Sequence, residues 1–153
     1  MTDRPHATRL TGAALLVLAA PLLAAPADVV RTRVAGLREL GAAFKAVNDG
    51  LRGSDPQVML IQMSARQIVN ASRAQYGWFP AGSGPQPGVR TAAKPEVWSQ
   101  SPRFKAAQDA FAAEALAFQR TAASGNVAAL RTGVRKLGAT CKGCHDTFKV
   151  PQD

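Results

Sequence analysis

The stretch CKGCHDTFK, residues 141–149, holds both cysteines of the chain and one of its two histidines. Three chemistries use such a cluster: a redox dithiol, a zinc site and a covalently held haem. A redox C-x-x-C pair works from a helix N-terminus, where the dipole lowers a thiol pKa; here the pair falls late in a helical pattern. A structural zinc takes four N or S ligands, usually as two pairs. Beyond His6 the chain offers only Cys141, Cys144 and His145. C-x-x-C-H is the attachment pattern of c-type haem. Its two thiols, one helical turn apart, add across the two vinyl groups of one porphyrin, and the adjacent imidazole reaches the iron from the same side. At about 3.6 residues per turn, all three side chains leave one side of a helix.

The helix carrying them is readable from its apolar spacing. Val127, Leu130, Val134, Leu137, Cys141, Cys144 and Phe148 recur at gaps of three and four, and Pro151 stops the run. Upstream, Gly125 fits just past a helix end and Asn126 fits an N-cap. The preceding helix reads from Ser101 as N-cap and Pro102 as first helical residue to about Ser124. It carries Phe104, Ala107, Phe111, Ala115 and Phe118 on one core face.

Two further helices are predicted before a long connection. The first runs from Asp28 to Leu51, with Val30, Val34, Leu37, Leu40, Phe44, Val47 and Leu51 on one face. A GSDP turn follows. The second runs from Asp55 or Pro56 to about Arg73, with Met59, Leu60, Met63, Ile68 and Val69. The connection, residues 76–98, is rich in Pro and Gly and has no helical period. Its Tyr76, Trp78, Phe79 and Trp98 suit a loop that packs down; Trp78 and Phe79 are expected to pin it rather than edge a cofactor. No strand signal appears. The fold class is all-α, an antiparallel four-helix bundle with covalently attached haem c.

The N-terminus reads differently. Arg4, His6 and Arg9 precede an apolar run from Ala13 to Ala25 and an A-x-A pattern at Ala25–Ala27. That is the anatomy of a secretory signal peptide. The division is therefore residues 1–27 as signal and 28–153 as bundle, with a periplasmic destination. Export suits haem c, which is attached outside the cytoplasm, and it removes nucleic acid as a partner. The formal net charge of +9 is dominated by residues of the bundle. Such a surface favours acidic partners.

With the motif at the C-terminal end of four helices, the chain resembles the class II cytochromes c, the cytochrome c′ family. The resemblance rests on LGATCKGCHDTFK at 137–149, WFPAGSGP at 78–85, and KPEVW at 94–98 followed by Phe104 and Lys105. It implies one covalent haem per chain, with Cys141 and Cys144 as thioether anchors and His145 as proximal ligand. Phe148 stands where the family often has tyrosine, and Lys149 where it usually has arginine. Arg33 matches an arginine near a haem propionate in relatives; on its own pattern it reads equally as an exposed helix charge. The resemblance also implies a homodimer through the first two helices.

Family members divide at the sixth iron position, between a first-helix Met and an apolar residue. Leu37, one turn after Arg33, has no donor atom, and the first helix contains no Met. Met59 and Met63 read as core filler rather than ligands. An apolar distal side at Leu37 is expected, with Leu40 or Phe44 nearby. One-electron transfer with an acidic periplasmic partner is the first functional expectation. Capture of nitric oxide or carbon monoxide on ferrous iron is the alternative. An enzyme is not expected: a peroxidase wants a distal acid–base group, and no second histidine remains after residue 27.

Overall fold

The computed structural model describes residues 26–151. Its helices are α1 (Pro26–Gly50), α2 (Val58–Ala74), α3 (Glu96–Ser99), α4 (Ser101–Ser124) and α5 (Val127–Phe148), with a 3-10 turn at Gln75–Gly77. No strand forms among the described residues; Gln86–Val89 and Ala93–Lys149 make isolated bridges. The signal segment lies outside the described residues, except that Pro26 and Ala27 open α1.

The links follow from local chemistry. Gly53 adopts φ 80° just after α1, and the Gln57 amide donates to Gly50 O at 2.9 Å. Gly125 takes φ 68° past α4, a left-handed conformation that costs glycine little. Asn126 then caps α5, its side chain accepting from the Ala129 amide at 3.0 Å.

Three pairs of neighbours pack along their lengths: α1 on α2, α2 on α4 and α4 on α5. Val47, Ile61, Ile68, Phe118, Leu130 and Leu137 form the centre, each at most 1% exposed. Each such side chain contributes about 1.5–3 kcal/mol by leaving water. The fourth side of the bundle, between α5 and α1, is not closed by backbone packing. The two helices meet near the link end, where Arg131 donates to Leu51 O and Gly53 O, and where a Cβ on Gly138 would stand 3.2 Å from Phe44 Cζ. Toward the cysteines no side-chain hydrogen bond joins the two helices among the described residues, and Val34 and Leu37 of α1 are left 36% and 40% exposed.

Several boundaries differ from the sequence reading. Ser101 is the first residue of α4, not its cap; Gln100, with φ −117°, precedes it and makes no side-chain cap. The second helix begins at Val58, because the chain through Pro56 and Gln57 is still turning back onto Gly50. The last helix ends at Phe148, short of Pro151, since Lys149 turns extended and pairs with Ala93. α3 is a single turn inside the long connection and leaves no periodic signal. Met59 and Met63 are not core filler: they are 68% and 50% exposed on the outer face of α2.

Candidate functional site

On α5 the two thiols are half-buried and belong to different packing clusters. Cys141 lies against the main core. Cys144, one turn on, lies against a second cluster of Val97, Phe104 and Phe148. Burial pushes both thiols above their ordinary range, and the neighbouring Cys141 adds to the effect at Cys144. His145 keeps an exposed edge, yet desolvation, and then the charge of Lys149, lowers its imidazole despite the opposing Asp146. A lowered imidazole is neutral near pH 7 and offers a lone pair.

Phe148 is buried and begins an aromatic chain. Its ring centroid is 5.1 Å from Phe104, Phe104 is 4.9 Å from Phe79, and Phe79 is 6.4 Å from Trp98. The first two contacts are edge-to-face, the arrangement that aromatic quadrupoles favour. Lys149 is exposed. The strap formed by Ala92–Lys94 holds the end of α5, with Lys94 N donating to Phe148 O at 2.9 Å and Val150 N to Ala92 O at 2.8 Å.

α1 supplies the other wall. Phe44 touches α5 at Gly138. Leu37 is two turns before Phe44 on the same stripe and therefore lies on the side of α1 that turns toward α5. Leu37 is 40% exposed and Val34 36%, high for large apolar residues on an inward stripe.

Arg33, one turn earlier, is not an exposed helix charge. It is 2% exposed. Its guanidinium donates to Thr91 Oγ1 (2.9 Å), Ser83 O (3.1 Å), Ser83 Oγ (3.2 Å) and Trp78 O (3.4 Å). It stacks 4.9 Å from the Phe79 centroid and 5.7 Å from that of Trp98. Burial lowers its pKa, but an arginine stays charged in any folded protein. Among the described residues no carboxylate pairs with it.

The structure thus brings Arg33, Phe148 and Cys144 to one end of the bundle through shared aromatic contacts, and sets Leu37 on the wall facing α5. Lys149 stays at the rim. Trp78 pins the loop, as expected, by packing on α1 at Gly36. Ser83 and Thr91, the hydroxyl partners of Arg33, were not legible in the sequence. The buried Arg33 needs acceptors, but nothing in the spacing says which loop residues supply them.

A porphyrin with two vinyl groups and two carboxylates asks for paired thiols one turn apart, an apolar wall and a cation. Cys141 and Cys144 and the Val34–Leu37 face answer the first two needs, and Arg33 places a buried cation at the same end of the bundle, so the residues present fit a covalent haem.

The family model described as Cytochrome C' matches residues 28–149. Cytochrome c′ of Rhodopseudomonas palustris is 34% identical over 144 residues, covering 92% of this chain and 94% of the relative. Cytochrome c′ of Pararhodospirillum photometricum is 34% identical over 129 residues, covering 82% and 99%. Among solved structures, cytochrome c′ from Rubrivivax gelatinosus superposes with a TM-score of 0.74 at 30% identity, covering 81% of this chain and 96% of that one. A ferrous arginine-to-lysine variant of cytochrome c′ from Alcaligenes xylosoxidans with bound NO gives 0.76 at 26% identity, covering 85% and 99%. With the two thiols, the adjacent histidine and the four-helix frame in place, the chain belongs to the cytochrome c′ family, whose members carry a covalently bound haem c.

Proposed function

We propose that the protein is a periplasmic haem c protein that binds a diatomic gas, nitric oxide or carbon monoxide, on an iron whose sixth side is apolar. In this reading Cys141 and Cys144 form the thioether bonds and His145 is the proximal ligand. When bound, the haem supplies a ferric–ferrous couple and, in the ferrous state, an affinity for diatomic ligands. The chain does the rest. Leu37 and Val34 present methyl groups and no donor atom, so neither can ligate the metal and both exclude larger or polar ligands. Arg33 offers positive charge near the anchoring end.

The observation that carries this reading is Leu37, 40% exposed on the stripe that faces α5. Support comes also from relatives: the Alcaligenes xylosoxidans protein forms nitric oxide complexes in several variants at one leucine. Carbon monoxide titration of the dithionite-reduced protein tests it. A saturable spectral shift is expected, and a spectrum indifferent to carbon monoxide contradicts it.

One-electron transfer is the second reading. It is favoured by the exposed Arg90 and Lys149 and the half-buried Lys94, which form no ion pair among the described residues and lie just before the strap, at the end of α5 and on the strap respectively. Cations there would steer an acidic redox partner. A homodimer suits the outer face of α1 and α2. There a groove of about 600 Å³ is lined by Leu60, Met63, Ala42 and Ala46, and Met59 is exposed on the same helix. We assign no catalytic turnover, because His145 is the sole imidazole after residue 27 and a haem peroxidase wants a second acid–base group. The periplasmic assignment rests on the charged, then apolar, residues 1–27.

A further inference from the structure

We propose that Ser83 and Thr91 are positioning residues that hold the buried Arg33 charge beside the haem and thereby raise its reduction potential. The inference rests on haem attachment at Cys141 and Cys144 and is independent of gas binding.

A buried guanidinium without a carboxylate is costly unless its N–H groups are met. Here both hydroxyls meet them, and both are themselves fixed. Ser83 is 2% exposed and gives its own proton to Pro80 O at 2.7 Å, so its oxygen lone pairs are left for Arg33 at 3.2 Å. Thr91 Oγ1 accepts from Arg33 at 2.9 Å and from the Ala93 amide at 3.1 Å. Each hydroxyl therefore ties the guanidinium to loop backbone. Pro80 is further tied to α3, through Trp98 Nε1 donating to its carbonyl at 3.0 Å. Phe79 and Trp98 confine the charge from the side.

The position matters because of what lies next to it. Phe79 contacts Phe104, Phe104 contacts Phe148, and Cys144 packs on that same cluster. The fixed cation is joined to the haem anchor through Phe79 and the Phe104–Phe148 pair, at the same end of the bundle, where burial screens a charge less than water does. Reduction removes one positive charge from the iron, so a nearby cation favours the reduced state. Without the two hydroxyls, only the Ser83 and Trp78 carbonyls still accept from the guanidinium, so its position is held less firmly and that preference weakens.

The test is spectroelectrochemical titration of the haem-loaded protein and of Ser83→Ala, Thr91→Val, Thr91→Ser and Arg33→Leu, with haem content of each read as the pyridine haemochrome. Ser83→Ala and Thr91→Val should lower the midpoint potential in the same direction as Arg33→Leu. Neither should add to the shift once Arg33 is already leucine. Thr91→Ser, which keeps the hydroxyl, should retain the wild-type potential. Potentials unchanged in both hydroxyl variants while thermal stability falls would reduce the two residues to loop staples and overturn the proposal. Thr91→Val is close to isosteric, so the Thr91 pair decides even where Ser83→Ala does not fold. A wild-type protein without covalent haem would instead overturn the attachment on which the proposal stands.

Discussion

Trp78 packs directly on the backbone of α1 at Gly36: a Cβ built on that glycine would stand 2.8 Å from Cε2 and Cη2 of the indole. The loop that carries Ser83 and Thr91 is seated through this contact. Gly36→Ala forces the ring off the helix, and overpacking of this kind costs about 1–3 kcal/mol. Denaturant unfolding followed by tryptophan fluorescence should show the loss, together with an altered native emission. An unchanged midpoint would mean that Trp78 is not seated where the structure puts it.

Leu37→Met places a thioether on the wall that faces α5. The variant should convert the iron to low spin and lose carbon monoxide affinity by at least about tenfold, equivalent to about 1.4 kcal/mol. Leu37→Ala should act oppositely, binding carbon monoxide more tightly by relieving crowding. Equal affinities in wild type and both variants would remove Leu37 from the distal side.

Leu137 is fully buried one turn before Cys141. Leu137→Ala should cost about 2–5 kcal/mol in stability, the range for a leucine truncated in a close-packed core. Thermal unfolding of the haem-loaded protein reads it. A loss below about 1 kcal/mol would indicate a core that collapses freely around the cavity.

Replacing both Cys141 and Cys144 by alanine should leave no haem that survives acid–acetone extraction or a denaturing gel. Retention of covalent haem would contradict the thioether assignment outright.

Asp109 accepts hydrogen bonds from Lys105 and Tyr76, and these, with Lys105's charge, hold its carboxyl below the ordinary carboxylate range against a smaller desolvation effect. A carboxyl with a depressed folded-state pKa contributes stability above its unfolded pKa, about 3.9, and that contribution is lost as pH falls through the folded value. Tyr76→Phe removes one donor, so the Asp109 carboxyl resonance should titrate at higher pH. The tyrosine hydroxyl, raised by the same bond, shows the reciprocal effect in the wild type. An Asp109 midpoint that does not move would show that the Tyr76 bond is not formed in solution.

Much of this was readable without coordinates, for identifiable reasons. The apolar period of α5 fixed which side Cys141 and Cys144 take. Gly125 and Asn126 marked a helix end and a helix start, because only certain residues satisfy those backbone demands. The reading failed where the pattern meets the site. Val34 belongs to the apolar stripe of α1, so periodicity places it in the core, yet it is 36% exposed; Leu37, expected on an apolar distal side, is 40% exposed on the same stripe. Arg33 interrupts that stripe, and its pattern reads equally as a surface charge or a charge near the cofactor, because the acceptors that bury it lie in a loop 50 and 58 residues away. Such local inconsistencies mark functional ground. Met59 and Met63 failed for a different reason: thioethers suit a core by composition, but here they sit outside on α2.

The most direct test of an apolar sixth side is the visible absorption spectrum of the dithionite-reduced, haem-loaded wild type before any gas is added. Leu37 without a donor atom predicts the broad, unsplit band of high-spin ferrous haem. Sharp, split low-spin bands would contradict it and would require a side-chain ligand opposite His145 that neither Leu37 nor Val34 can provide.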